Sequence, residues 1–136
     1  MTRTRIATAL ALLGAAFILY IGISYLVTPE SIAAGFGLPA QPTGDAVGFL
    51  DIKGVRDTVC GVLILALLAT RQRFALGVAL SALALIPLGD MLTVLRWDGS
   101  TATALGVHGF TAVLVAATGA LLLTEGRRTH TAAVTA

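Results

Sequence analysis

Four stretches of the chain, roughly Ile6 to Val27, Val47 to Ala69, Phe74 to Leu95 and Ala102 to Thr124, are apolar on every side rather than along one stripe. A helix needs about 20 such residues to cross about 30 Å of hydrocarbon, and each stretch is near that length. An amphipathic helix of a soluble bundle would show one apolar face, so the pattern predicts membrane spans. The expected class is all-α: one integral-membrane domain over residues 1–136, a four-helix bundle. Its connections from Thr70 to Arg73 and from Trp97 to Thr101 are short enough to require antiparallel neighbours.

The first loop carries its own signal. Thr28-Pro29-Glu30-Ser31 offers a cap, a proline at the first helical position and an acid in the first turn. A short helix is expected after it, presenting Ile32, Phe36 and Leu38 and stopped by Gly35, Gly37, Pro39 and Pro42. It should lie along the membrane surface or cap the bundle.

Composition narrows the class further. Of 136 residues, 57% are apolar and 12% charged, and mean hydropathy is +0.92. These values exclude an ordinary water-soluble globule, a disordered chain and a nucleic-acid module. The net charge of +2 comes with basic residues in pairs beside the apolar runs. Arg3 with Arg5, Arg71 with Arg73, and Arg127 with Arg128 fall on one side of the membrane. The positive-inside rule makes that side cytoplasmic, so a multi-pass cell-membrane protein with both termini inside is expected. Tyr25 and Trp97 then fall at the outer interface. The apolar run behind Arg3 and Arg5 is longer than a signal-peptide core and has no convincing cleavage site, so it reads as an uncleaved first helix. The lone Cys60 permits no internal disulfide.

The candidate chemistry lies within the spans. Lys53, Arg56, Asp57 and Cys60 follow one helical stripe of the second span, with Asp51 on the other side. The third span carries Asp90 and the fourth His108. At 1.5 Å per residue Asp57, Asp90 and His108 reach nearly one level, roughly 20–24 Å above the cytoplasmic boundary. A charge facing lipid costs about 2.5–3.5 kcal/mol, so Arg56, Asp57, Asp90 and His108 are expected to point inward and satisfy one another. Arg56, deeper than Lys53, is the expected buried partner of Asp57 or Asp90, while Lys53 can snorkel to the interface. Asp90 has no cation within a turn on its own helix, which makes it the candidate general acid, with His108 as proton relay and Asp57 as the alternative acid. Lys53 and Arg56 would hold the polar end of a ligand, with Arg96, Tyr20 and Trp97 as further lining candidates.

Pro87 should bend the third helix by removing the bond to the Leu83 carbonyl. Gly54, Gly61, Gly106 and Gly109 are read as close-packing positions. One His among scattered acids lacks the ligand set of a metal centre, and no cofactor motif is present, so neither metal nor cofactor is expected.

Taken together, Gly35-Phe-Gly-Leu-Pro39, Lys53-Gly-Val-Arg-Asp57, Pro87-Leu-Gly-Asp90 and Val107-His-Gly109 resemble the small four-helix membrane proteins of the domain-of-unknown-function family DUF4267, related to the DoxX-like group. The resemblance covers nearly the whole chain. It implies a four-helix bundle and a membrane location, and lends no chemistry.

Two functions are compatible with these residues. In the first, the protein binds a small lipophilic or isoprenoid-like molecule in the outer half of the bundle, with acid-base isomerisation or cyclisation as an extension. In the second, it is a non-catalytic subunit or assembly factor whose polar cluster is structural and whose glycine faces meet a membrane-protein partner or a second copy. The bilayer is the common partner, and nucleic acid is not one. A proton-linked carrier is disfavoured, because the polarity stops halfway and no repeat supplies alternating access.

Overall fold

The computed structural model describes the backbone of residues 2–134 and the side chains of residues 3–125. The side chains of Arg127, Arg128 and His130, on which part of the topology reading rests, lie outside the described residues. The described elements are all helical: α1 (Thr2–Val27), α2 (Pro29–Ala33), α3 (Gly48–Ala69), α4 (Arg73–Leu83), α5 (Leu85–Arg96), α6 (Thr101–Thr103) and α7 (Phe110–Val134). Three stretches, Arg3–Val27, Arg73–Arg96 and Thr101–Glu125, are long and apolar enough to cross a membrane. The fourth long helix, α3, has 22 residues and carries the charged stripe.

Small residues bring the helices together in two tight pairs. α1 lies against α3 with backbones nearly touching: a Cβ at Gly22 would stand 2.5 Å from the Thr58 nitrogen, and one at Gly54 would stand 2.9 Å from the Gly22 carbonyl. Gly61 meets Leu19 in the same seam. α4 lies as closely against α7, where a Cβ at Gly119 would stand 3.0 Å from the Ser81 nitrogen, and Gly77 faces Leu123. In hydrocarbon such close van der Waals contact is a main source of helix association.

The two pairs join at the end that holds the α3–α4 turn. Ala7, Ala11 and Ala15 of α1 pack with Ile64, Leu76, Leu80 and Leu122 in a filled core. Beside it, Arg73 donates through Nε and Nη2 to Glu125 Oε2 at 3.0 and 2.7 Å, and through Nη1 to Thr8 Oγ1 at 3.0 Å. One guanidinium therefore ties α1, α4 and α7 together. A planar fork of donors suits that geometry.

Three irregularities shape the other end. Where a bend is expected the helix is interrupted at Ala84, between α4 and α5: Pro87 has no N–H for the Leu83 carbonyl, while the Ala84 nitrogen keeps its bond to Leu80 at 2.9 Å. The short helix forms as α2, but Thr28 does not cap it. The Thr28 hydroxyl donates back to the Ser24 carbonyl at 3.2 Å, and α2 runs into a 3₁₀ turn, Ala34–Phe36, ended by Gly37 at φ +100°. That left-handed conformation favours glycine. The last span is not one regular α-helix either. After α6, capped by Ser100, a π-helical turn covers Ala104–Gly109 before α7 begins. It holds His108.

Candidate functional site

Between the two helix pairs, beyond the filled core, lies a cavity of about 570 Å³. The charged stripe of α3 places Lys53, Asp57 and Cys60 on its wall, α5 contributes Pro87 and Asp90, and the π-turn contributes His108. Below this polar end the walls are apolar, running down α1 past Phe17 and Gly14 to Leu10.

The ion network has Lys53 at its centre. Its Nζ donates to Asp57 Oδ2 at 3.0 Å, one turn along α3, and to Asp90 Oδ2 at 3.3 Å across the helix interface. Asp57 is the most buried of the group, with 1% of its side chain exposed, and it also accepts from Arg56 Nε at 3.0 Å on Oδ1. Burial of two carboxylates is tolerable because each has a cation at hydrogen-bond distance. The Lys53 ammonium further lies 5.2 Å from the ring centroids of both Tyr25 and Phe36, within cation–π range.

Phe36 closes the polar end. Its carbonyl accepts a bond from His108 Nε2 at 2.9 Å, and its ring stands 4.7 Å from the imidazole. Since a carbonyl can only accept, Nε2 carries the proton, and in the neutral ring Nδ1 is the acceptor nitrogen. The loop is pinned by Gly37, whose carbonyl accepts from the Ser100 nitrogen at 2.8 Å. In contrast, the flank between α1 and the last span carries Leu13, Phe17, Phe110 and Leu114, which line the cavity and are exposed. The cavity is thus covered at its polar end and rimmed sideways by apolar side chains.

Several expectations change. Arg56 is not the buried cation: 43% of its side chain is exposed, against 17% for Lys53. α3 is turned so that its i−4 neighbour, rather than the adjacent residue, shares the inner face with Asp57. Asp90 is not without a cation, because Lys53 reaches it from α3. Tyr20, Arg96 and Trp97 are exposed and do not line the cavity; the last two stand at the C-terminal end of α5, away from it. Tyr25 is 3% exposed and packs with Ala33 of α2 and Leu50 of α3. Gly106 is no packing position: a Cβ there would meet nothing within 4 Å, and the residue lines the cavity. At Gly109 a Cβ would stand 3.0 Å from Met91 Sδ, as at a close contact. Asp57, Asp90, His108 and Lys53 do share one wall, although among the described residues His108 bonds Phe36 and neither acid.

Tyr25 and Phe36 are the residues that sequence reasoning missed as site members. Phe36 had a weak signal, as an apolar residue between two glycines in the loop. Tyr25 had none, because its burial depends on how the loop folds back over α1. Among the described residues no group of three or more His, Cys, Asp or Glu side chains is placed to hold a metal ion.

No curated protein and no solved structure matches the chain. A family model matches residues 15–122, from the middle of α1 to the middle of α7, a stretch that contains every residue of the ion network, His108, Tyr25 and Phe36. The chain belongs to the family described as Domain of unknown function (DUF4267).

Proposed function

We propose that the protein is a membrane-embedded binding protein for a small lipophilic molecule, which lies with its polar end at Lys53, Asp57, Asp90 and His108 and its apolar part along α1. The observation that carries this reading is the cavity itself: about 570 Å³, apolar along most of its walls, with polar groups converging at one end. That volume falls within the range of ligand pockets, and a few placed polar groups in apolar walls are their usual make-up. The exposed apolar rim between α1 and α7 supports access from the bilayer rather than from water.

The alternative, a subunit that docks through its glycine faces, has less to use. Gly22, Gly54, Gly61, Gly77 and Gly119 are already in contact inside the chain. The proposal also stops short of acid-base catalysis, because the premise for a general acid was a carboxyl without a cation, and Lys53 stands 3.3 Å from Asp90.

Gly14 supplies the test. It lines the cavity, and a Cβ there would meet nothing within 4 Å, so Gly14→Trp leaves the backbone unhindered and directs its bulk into the cavity. Organic extracts of the purified wild-type protein should contain a lipophilic compound that is at least fivefold depleted in extracts of Gly14→Trp, while both proteins elute as single folded species. Equal amounts in both extracts would defeat the reading.

The orientation belongs to the same proposal: an antiparallel bundle in the cell membrane, both termini cytoplasmic, α2 at the outer surface. The kinship with the DoxX-like group adds the same four-helix fold and no chemistry. Arg3, Arg5, Arg71 and Arg73 support the cytoplasmic assignment. In a Cys60→Ser background, Thr43→Cys and Ser100→Cys should react with a membrane-impermeant maleimide added to intact cells. Reaction only after the cytoplasm is opened would reverse the topology.

A further inference from the structure

We infer that the bound molecule carries an uncharged, oxygen-bearing head, a hydroxyl or carbonyl on a single apolar chain, rather than a carboxylate, a phosphate or an ammonium. This rests on the binding reading above and names its ligand class.

The first argument is the charge already in place. The cavity wall holds one formal cation, Lys53, and two formal anions, Asp57 and Asp90, and Lys53 Nζ contacts both. Arg56 balances the sum from outside through Asp57 Oδ1. An anionic head would find no unclaimed cation on the wall and would stand beside two carboxylates in a medium of low dielectric constant. A cationic head would compete with an ammonium already held at 3.0 and 3.3 Å.

The second argument is the hydrogen-bonding capacity left over. An ammonium has three N–H donors, and the two carboxylates take one each, leaving one. Tyr25 is 97% buried, lines the cavity, and its hydroxyl makes no hydrogen bond among the described residues. Its oxygen is not among the fully buried side-chain atoms that lack a partner, so the hydroxyl keeps an open approach, which the cavity supplies, and its bonding capacity is unused. Thr111 adds a second cavity-lining hydroxyl with no hydrogen bond among the described residues. A neutral oxygen accepts from Lys53 and exchanges a bond with Tyr25 without altering the charge balance.

The third argument is shape. Along α1 the cavity wall runs from Tyr25 to Leu10, about 22 Å at 1.5 Å per residue. A length of that order in about 570 Å³ describes one chain and not the two of a phospholipid.

The experiment uses the full chain in phosphatidylcholine nanodiscs, with hexadecanol, hexadecanoate and hexadecyltrimethylammonium added as probes to wild type, Gly14→Trp and Tyr25→Phe. Hexadecanol should raise the wild-type melting temperature by several degrees, the charged probes by less than a third as much, and none should act on Gly14→Trp. Tyr25→Phe should bind hexadecanol about three- to tenfold more weakly, the loss of one ordinary hydrogen bond. A charged probe that acts as strongly as hexadecanol, and does so only where residue 14 is glycine, overturns the head-group assignment and leaves the binding reading standing. Absence of any shift that depends on residue 14, with all three probes, defeats both.

Discussion

Lys53→Ala is expected to cost about 3–5 kcal/mol of folding stability, and Arg56→Ala about 1 kcal/mol or less. Lys53 Nζ is the only described group in contact with both carboxylates, and its removal leaves Asp90 unpaired and Asp57, 1% exposed, with Arg56 alone on one oxygen. Removing one member of a buried ion group is worse than removing all, because the survivors keep their desolvation cost without its compensation. Arg56→Ala leaves Lys53 in place on Asp57 Oδ2 and gives up one contact from a side chain that is 43% exposed. Lys53→Met combined with Asp57→Asn and Asp90→Asn, which discharges the three cavity-lining members and leaves only the part-exposed Arg56 charged, should recover much of the loss. Thermal unfolding of the four proteins in one detergent decides the matter. An Arg56→Ala protein that melts below Lys53→Ala would place the arginine, not the lysine, at the centre of the network.

That ordering could have been reached from sequence, and the reason it was not is physical. Lys53 and Asp57 are separated by four residues and lie about 40° apart around α3, whereas Arg56 and Asp57 are neighbours about 100° apart. Depth favoured Arg56; angle favoured Lys53. A lysine stem is long enough to carry its ammonium inward as readily as outward, so depth at the Cα did not decide. The long apolar helices, an irregularity ahead of Pro87 and the short helix after Thr28 were legible because hydropathy, a missing N–H and a helix-start proline act locally. Tyr25, Phe36 and the π-turn were not, since each depends on the first loop folding onto the ends of α5 and the last span. The cavity was least legible of all. A glycine that seals a helix seam and a glycine that opens a void are the same letter.

Gly22 and Gly14 put that last difference to measurement. Both lie in α1, eight residues apart, and intrinsic propensity makes the same forecast for each: replacing a helical glycine gains roughly 0.5–1 kcal/mol. At Gly14 nothing opposes the gain, because a Cβ meets no atom within 4 Å and the side chain grows into the cavity, so Gly14→Leu should melt at or above the wild-type temperature. At Gly22 the Cβ would stand 2.5 Å from both the nitrogen and the hydroxyl of Thr58, and 2.9 Å from the Gly54 carbonyl. Two of those atoms are backbone, so no rotamer change relieves them. α3 would have to retreat, breaking the contact that Gly54 makes with Gly22 in return. Gly22→Leu should therefore lose about 3 kcal/mol, at the upper end of ordinary overpacking, since close backbone contact is a main source of cohesion between membrane helices. Gly22→Ala should fall between the two. If Gly22→Leu instead unfolds with Gly14→Leu at one temperature, α1 does not meet α3 along this seam, and the wall on which Tyr25 and Lys53 face one another loses its support.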